Sequence, residues 1–184
     1  MSDPRLALLS KPHMAPLMEL ISKWRNVGYD VPNPDPNDGG VNAKALFLLE
    51  SPGPKAVGTR FISCDNPDPS ARNMKRSLAE AGLDRSEVML WNVVPYCVSS
   101  TTKNKNASSD DIMKSAPLTQ EFIELFPNLQ VVVLCGDKAL KALRFLSVPC
   151  RVLATYHTGG MAYNQQVMRQ NTQATFAEVR RLIR

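Results

Sequence analysis

Residues 45–54 read Ala-Leu-Phe-Leu-Leu-Glu-Ser-Pro-Gly-Pro, and the fold is decided there. Five consecutive apolar residues leave no polar face, so Ala45–Leu49 must be covered on both sides, as a strand in a parallel sheet is. The run stops at a carboxylate and two prolines, which cannot extend a hydrogen-bonded ladder. Three more runs of this kind follow, at Val88–Val94, Val131–Leu134 and Arg151–Thr155. Helical spacing fills the gaps over Ser70–Ala81, Leu118–Leu125 and Ala139–Leu146, and returns over Thr172–Ile183. An earlier helix is predicted over Met14–Trp24, from Leu17, Leu20, Ile21 and Trp24. Alternating strand and helix patterns predict an α/β protein, a three-layer α/β/α sandwich around a central four-stranded parallel sheet. Residues 1–38 are expected to form an N-terminal helix and a Pro-rich loop, and residues 39–184 the α/β/α domain, with one domain overall. The segment from Val31 to Asn42 (VPNPDPNDGGVN) reads as loop.

Composition narrows the classes. The chain has 184 residues, 43% hydrophobic and 21% charged, which excludes a disordered, collagen-like or coiled-coil protein. A chain of this length buries roughly 70% of its surface without staples. No apolar run nears the ~20 residues of a membrane span, and the start lacks a leader pattern, so a soluble, cytoplasmic monomer without a membrane partner is expected. A net charge of +5 is compatible with a polyanionic partner. Cys64, Cys97, Cys135 and Cys150 form no C-x-x-C pair, and only two histidines accompany them. Neither a metal site nor a cofactor is therefore expected. The thiols read as reduced, with Cys135 and Cys150 as small buried residues.

Ligands of such folds sit at the carboxyl ends of the strands. Those ends carry Glu50-Ser51-Pro52-Gly53-Pro54, then Asn92 running into Pro95-Tyr96-Cys97, then Gly136-Asp137-Lys138, then Tyr156-His157-Thr158-Gly159-Gly160. Glu50 at the end of a buried strand reads as a capped structural carboxylate or a functional one. Asn92 inside an apolar run needs partners, from a neighbouring strand or from a ligand. His157 precedes two glycines and is the acid/base candidate, since His13 lies in an unpatterned start. Lys103 and Lys105, in the loop Ser99–Ser109 (SSTTKNKNASS), suit solvent or phosphate. The same two readings stand for Arg72, Lys75 and Arg76, whereas Arg180, Arg181 and Arg184 read as a solvated helix face.

These residues, in this order, resemble the uracil-DNA glycosylase superfamily. The pattern LFLLESPGP, a Phe in TRFIS, WNVVPYC and YHTGG carries the resemblance over roughly Gly39 to Gly160. The resemblance implies that Glu50 matches the Glu that places or activates water in the branch written Gly-Glu-Ala-Pro-Gly. It implies that Phe61 stacks on the extruded base, that Asn92 reads its edge, and that His157 polarises the departing base. Ser51 stands where other branches carry Asp or Asn and joins the base-binding set. Gly53, Thr158, Gly159 and Gly160, with Lys103 and Lys105, fall to DNA contact, the late loop resembling the one that wedges into the duplex. Leu49 replaces the family's first Gly, and His-Thr-Gly-Gly replaces His-Pro-Ser. The cysteines of the iron–sulfur branch are not matched.

The implied activity is hydrolysis of the N-glycosidic bond of uracil or a related damaged base flipped out of single- or double-stranded DNA. Such an enzyme leaves an abasic site. The competing expectation is a nucleic-acid-binding relative that kept the fold without the chemistry. A small-molecule enzyme ranks third, as no P-loop or GxGxxG pattern is present.

Overall fold

A computed structural model describes residues 3–183. Four strands form a parallel sheet: β2 (Ala45–Leu49), β4 (Val88–Asn92), β5 (Val131–Cys135) and β6 (Arg151–Thr155), in the order β4-β2-β5-β6. Two of these match the sequence reading residue for residue, and the α/β/α sandwich with its four-stranded parallel sheet is as expected. Register follows from the apolar runs: Phe47 pairs with Leu90, Leu48 with Trp91, Leu49 with Asn92, and Leu48 also with Leu134.

Alternation along a strand assigns the faces. Phe47 meets Phe176 of α7 (Gln166–Leu182) at 4.8 Å between ring centroids. Trp91, one residue out of phase, stacks on Phe122 of α4 (Ser109–Ile123) at 4.3 Å. The two helices therefore cover opposite faces. α3 (Pro69–Glu80) and α6 (Gly160–Tyr163) pack with α7, whereas α5 (Asp137–Ala142) packs with α4. α1 (Ala15–Asn26) joins the α4 side through the Trp24 indole, which donates to Glu121 at 3.0 Å.

Four differences from the sequence reading have local causes. β6 is an edge strand with Arg151 and Ala154 exposed, so its apolar run is covered less than those of the inner strands. α4 begins nine residues earlier than the apolar spacing, because Ser108 and Asp111 cap each other's backbone N–H in a reciprocal box. The short α2 (Pro54–Thr59) lies where turn residues mask helical spacing. Cys150 is only half-buried, at the start of the edge strand, while Cys135 is buried as expected.

The segment 31–42 is the largest departure. Residues 31–40 are buried except for Asn37, and Asn33–Pro34 form a two-residue strand, β1, paired in parallel with β3 (Phe61–Ile62). Gly39 N–H donates to the Val88 carbonyl at 2.8 Å and so closes the β4 edge. A Cβ at Gly39 would meet the Ser86 carbonyl at 2.3 Å, so only glycine fits there. His13 is likewise ordered, its Nε2 bonded to the Pro36 carbonyl at 3.1 Å.

Two carboxylates make this burial possible. Asp35 and Asp38 are 0% and 2% exposed, and the Arg85 guanidinium reaches both, at 3.0 and 2.6 Å. Arg5 reaches Asp35 at 3.4 Å, and the Ser63 hydroxyl donates to the same carboxylate. Burial pushes the Asp38 carboxyl up to about 7, against the attraction of Arg85. Its Oδ2 has no hydrogen-bond partner among the described residues. The folded pKa stands above the ordinary 3.8, so the folded state holds an extra proton between roughly pH 4 and 7, and stability falls as pH rises through that window. Asp38→Asn should flatten this fall, measured as urea midpoints from pH 4 to 7. A slope equal to that of the parent protein would refute it.

Candidate active site

The carboxyl ends of β2, β4, β5 and β6 lie flush, and a cavity of about 590 Å³ opens at this edge on the α3 side. Its floor is Leu49, Leu90 and Asn92, which share a face by register, with Met74 of α3 opposite. Three loops build the walls: residues 50–54 after β2, residues 104–106 after β4 and residues 157–162 after β6. Strand order places the connection reversal between β2 and β5, where doubly wound sheets leave a crevice.

Asn92 ends β4 and is 3% exposed. Its amide Nδ2 is buried without a hydrogen-bond partner among the described residues. An unpaired buried amide costs about 1–3 kcal/mol, which a ligand with a matching acceptor would recover. The reading of Asn92 as a tie between strands is thus not what the contacts support. Trp91 Nε1 is also unpartnered, but its ring faces the other side of the sheet against Phe122.

Glu50 follows β2, and its backbone carbonyl is fixed by the Val94 N–H at 2.9 Å. One carboxylate oxygen, Oε1, accepts the Ala107 N–H at 2.6 Å. No described donor engages Oε2. A half-buried carboxylate that lines the cavity with one oxygen anchored keeps a fixed direction for the other.

His157 is held from several sides. Its Nδ1 accepts the Gly159 N–H at 2.9 Å, so the neutral ring carries its proton on Nε2. A Cβ on Gly159 would come within 2.8 Å of that Nδ1, which explains the glycine two positions after the His. Gly136, at φ +92°, lets the β5 end pass close to the His157 Cβ. Burial holds the imidazole below its ordinary 6.5, opposed more weakly by the negative charges of Glu50 and Asp68.

Of the other residues singled out in the sequence, Ser51, Gly53, Lys105, Gly159 and Gly160 line the cavity. Lys103 is exposed on the same loop but does not reach it. Two expectations are corrected. Phe61 is 0% exposed and lies outside the cavity lining: β3 pairs with β1, and the Arg5 guanidinium covers its ring at 4.1 Å from the centroid. Thr158 is 0% exposed and tied to α3: Asn73 donates to its carbonyl at 2.8 Å and its hydroxyl meets Ser70 at 2.9 Å. It anchors the late loop and is not free to touch a ligand.

The basic residues split. Lys75 and Arg76 pair with Asp65 and Glu80, while Arg72 is exposed without an ion pair among the described residues. Arg180 bridges Glu87 and Arg181 bridges Glu178; Arg184 lies outside the described residues.

Several cavity residues were not singled out from the sequence. Ser63, Asn66 and Asp68 line it from the β3–α3 turn. Asp68 was legible as a helix cap, since Asp-Pro-Ser opens α3 and its side chain accepts the Ala71 N–H. Met161, 92% exposed at the cavity rim, carried no periodic signal. Cys64 also lines the wall, and burial pushes its thiol up to about 12, so it presents no thiolate.

With only two histidines in the chain, the ring state is directly measurable. The His157 imidazole should titrate below 6.5 by NMR and stay a neutral Nε2–H tautomer at pH 7; titration above 6.5 would contradict this environment.

A family model described as the uracil DNA glycosylase superfamily matches residues 36–183. No curated protein matches the sequence. Among solved structures, the chain is similar to a mimivirus UNG Y322F crystallised in complex with UGI. That likeness is at 14% identity over 88% of this chain and 74% of that one, with a TM-score of 0.44.

Proposed function

The chain belongs to the uracil DNA glycosylase superfamily, and from that membership and the donor set of the cavity we propose that it hydrolyses the N-glycosidic bond of uracil or a related base extruded from DNA. The observation that carries the reading is the buried, unpartnered amide of Asn92 facing the same cavity as Glu50 and His157. An asparagine offers a donor and an acceptor side by side. This complements the O4 acceptor and N3–H donor of uracil and mismatches cytosine.

Each group then has a role set by its position. Asn92 holds the base edge. Breakage of the bond sends the electron pair to the base and leaves positive charge on the sugar. The neutral His157, donating from Nε2, stabilises negative charge on the base oxygen, where a preorganised donor acts without prior proton uptake. Glu50, with Oε1 held by Ala107, directs Oε2 at the water or at the developing cationic sugar. Lys105 supplies charge for a flanking phosphate, and Lys103, farther out on the same loop, adds to it. Met161 is assigned the part of an apolar wedge against the duplex, which its exposure at the cavity rim supports and which small Gly159 and Gly160 cannot play.

Base release from end-labelled oligonucleotides with one uracil, as single strand, U:A and U:G, tests the reading, with alkali cleavage revealing abasic sites. The protein should form alkali-labile product, and Asn92→Ala and His157→Ala should each lower the rate about 100-fold or more. Retention of the oligonucleotide without product would make the chain a binding relative. Absence of both product and retention would reject a nucleic-acid role.

The rim makes a separate claim. Met161→Ala should weaken release from duplex by about tenfold and leave single-stranded substrate nearly unchanged, since no step needs unstacking there. Equal losses on both substrates would remove the wedge role.

A further inference from the structure

We propose that Lys138 is a positioning residue for Glu50, acting through the Ala107 peptide. The inference deepens the glycosylase reading and rests on it for its catalytic consequence. Ala107 is 1% exposed and closes the loop that leaves β4 and enters α4. Its N–H donates to Glu50 Oε1 at 2.6 Å, and its carbonyl accepts the Lys138 ammonium at 2.8 Å. One residue is thereby fastened at both polar atoms to the ends of two adjacent strands. Glu50 follows β2, Lys138 sits in the first turn after β5, and the pairing of Leu48 with Leu134 sets their separation.

The choice of a cation is informative. Lys138 is half-buried and forms no ion pair among the described residues; its charge is spent on a neutral carbonyl. Charge-assisted bonds of this kind are shorter and stronger than neutral ones, as holding a loop end in place requires. From Ser99 to Lys105 the hydrogen bonds of the loop are internal: the Ser99 hydroxyl donates to the Lys105 carbonyl at 3.1 Å and accepts its N–H at 3.0 Å. Asn104, Lys105 and Asn106, which line the cavity, are thus suspended between the Ser99 neck and the Ala107 anchor. Without Lys138, the only hydrogen bond left to Ala107 among the described residues is the one to the Glu50 carboxylate, and the direction of Oε2 is less firmly set.

The test reads the contact itself and the reaction separately, on the full chain. Amide hydrogen exchange at Ala107, followed by NMR, should be about tenfold faster in Lys138→Met than in the parent protein, with protection restored in Lys138→Arg. Lys138→Gln should repeat the loss and serves if the Met variant does not fold. On a uracil oligonucleotide, Lys138→Met should lower kcat about tenfold with KM within about twofold, and add nothing in a Glu50→Gln background. Unchanged Ala107 protection in the neutral variants would overturn the proposal. So would lost protection with unaltered kcat. If the parent protein releases no base while Ala107 protection still responds to Lys138, the glycosylase reading fails and the anchor stands.

Discussion

Everything in this molecule depends on β2 being enclosed on four sides. It is hydrogen-bonded to β4 on one edge and β5 on the other, and Ala45–Leu48 are wholly buried between α7 and α4. A strand so placed cannot shift by one residue, because a slip would exchange Phe47 and Leu48 between the two faces. With that register fixed, Leu49 lies beside Asn92 and the strand ends finish level. Polar residues that follow them then have one place to go, the open edge beyond the ladder.

The polar groups beside this sheet fall into two kinds. Those around Arg85 are paired by charge: Asp35, Asp38 and Asp65 meet its guanidinium, Ser63 donates to Asp35, and together they fasten the segment 31–40 beside β3. Those at the strand ends are left open, above all the Asn92 amide and the Glu50 Oε2. The ion-paired groups give a frame. Open ones, held in place by the frame, are what a substrate can complete. Ser63 belongs to both, as it donates to Asp35 and lines the cavity wall.

The late loop shows how a departure from a family pattern is accommodated. The stiffening Pro of His-Pro-Ser is replaced by Thr158, and its place as a restraint is taken by three side chains of α3. Ser70 and Asn73 hold Thr158, and Ser77 meets the Tyr163 hydroxyl at 3.0 Å. The glycines then serve the histidine: Gly159 supplies the N–H that sets its tautomer and the space for its ring. A neutral donor at Nε2 is obtained here from backbone geometry and burial together.

By itself the sequence determined the sheet, because a run that is apolar on every residue has one stable environment and needs no distant information to recognise. It also determined the chemical types at the strand ends, since Glu50, Asn92 and His157 interrupt those runs where water or a ligand must meet them. The fold could not be read further where partners come from afar. Phe61 reads as a stacking platform until β1, 28 residues earlier, pairs with its strand and Arg5 covers its ring. Thr158 reads as a contact until α3, about 85 residues away, consumes its hydroxyl and carbonyl. The burial of residues 31–40, the cavity-facing Asp68 and the exposed rim of Met161 were decided in the same way. Periodicity reports the environment a residue's own neighbours impose. Which distant backbone or side chain fills the remaining side is settled only when the layers pack.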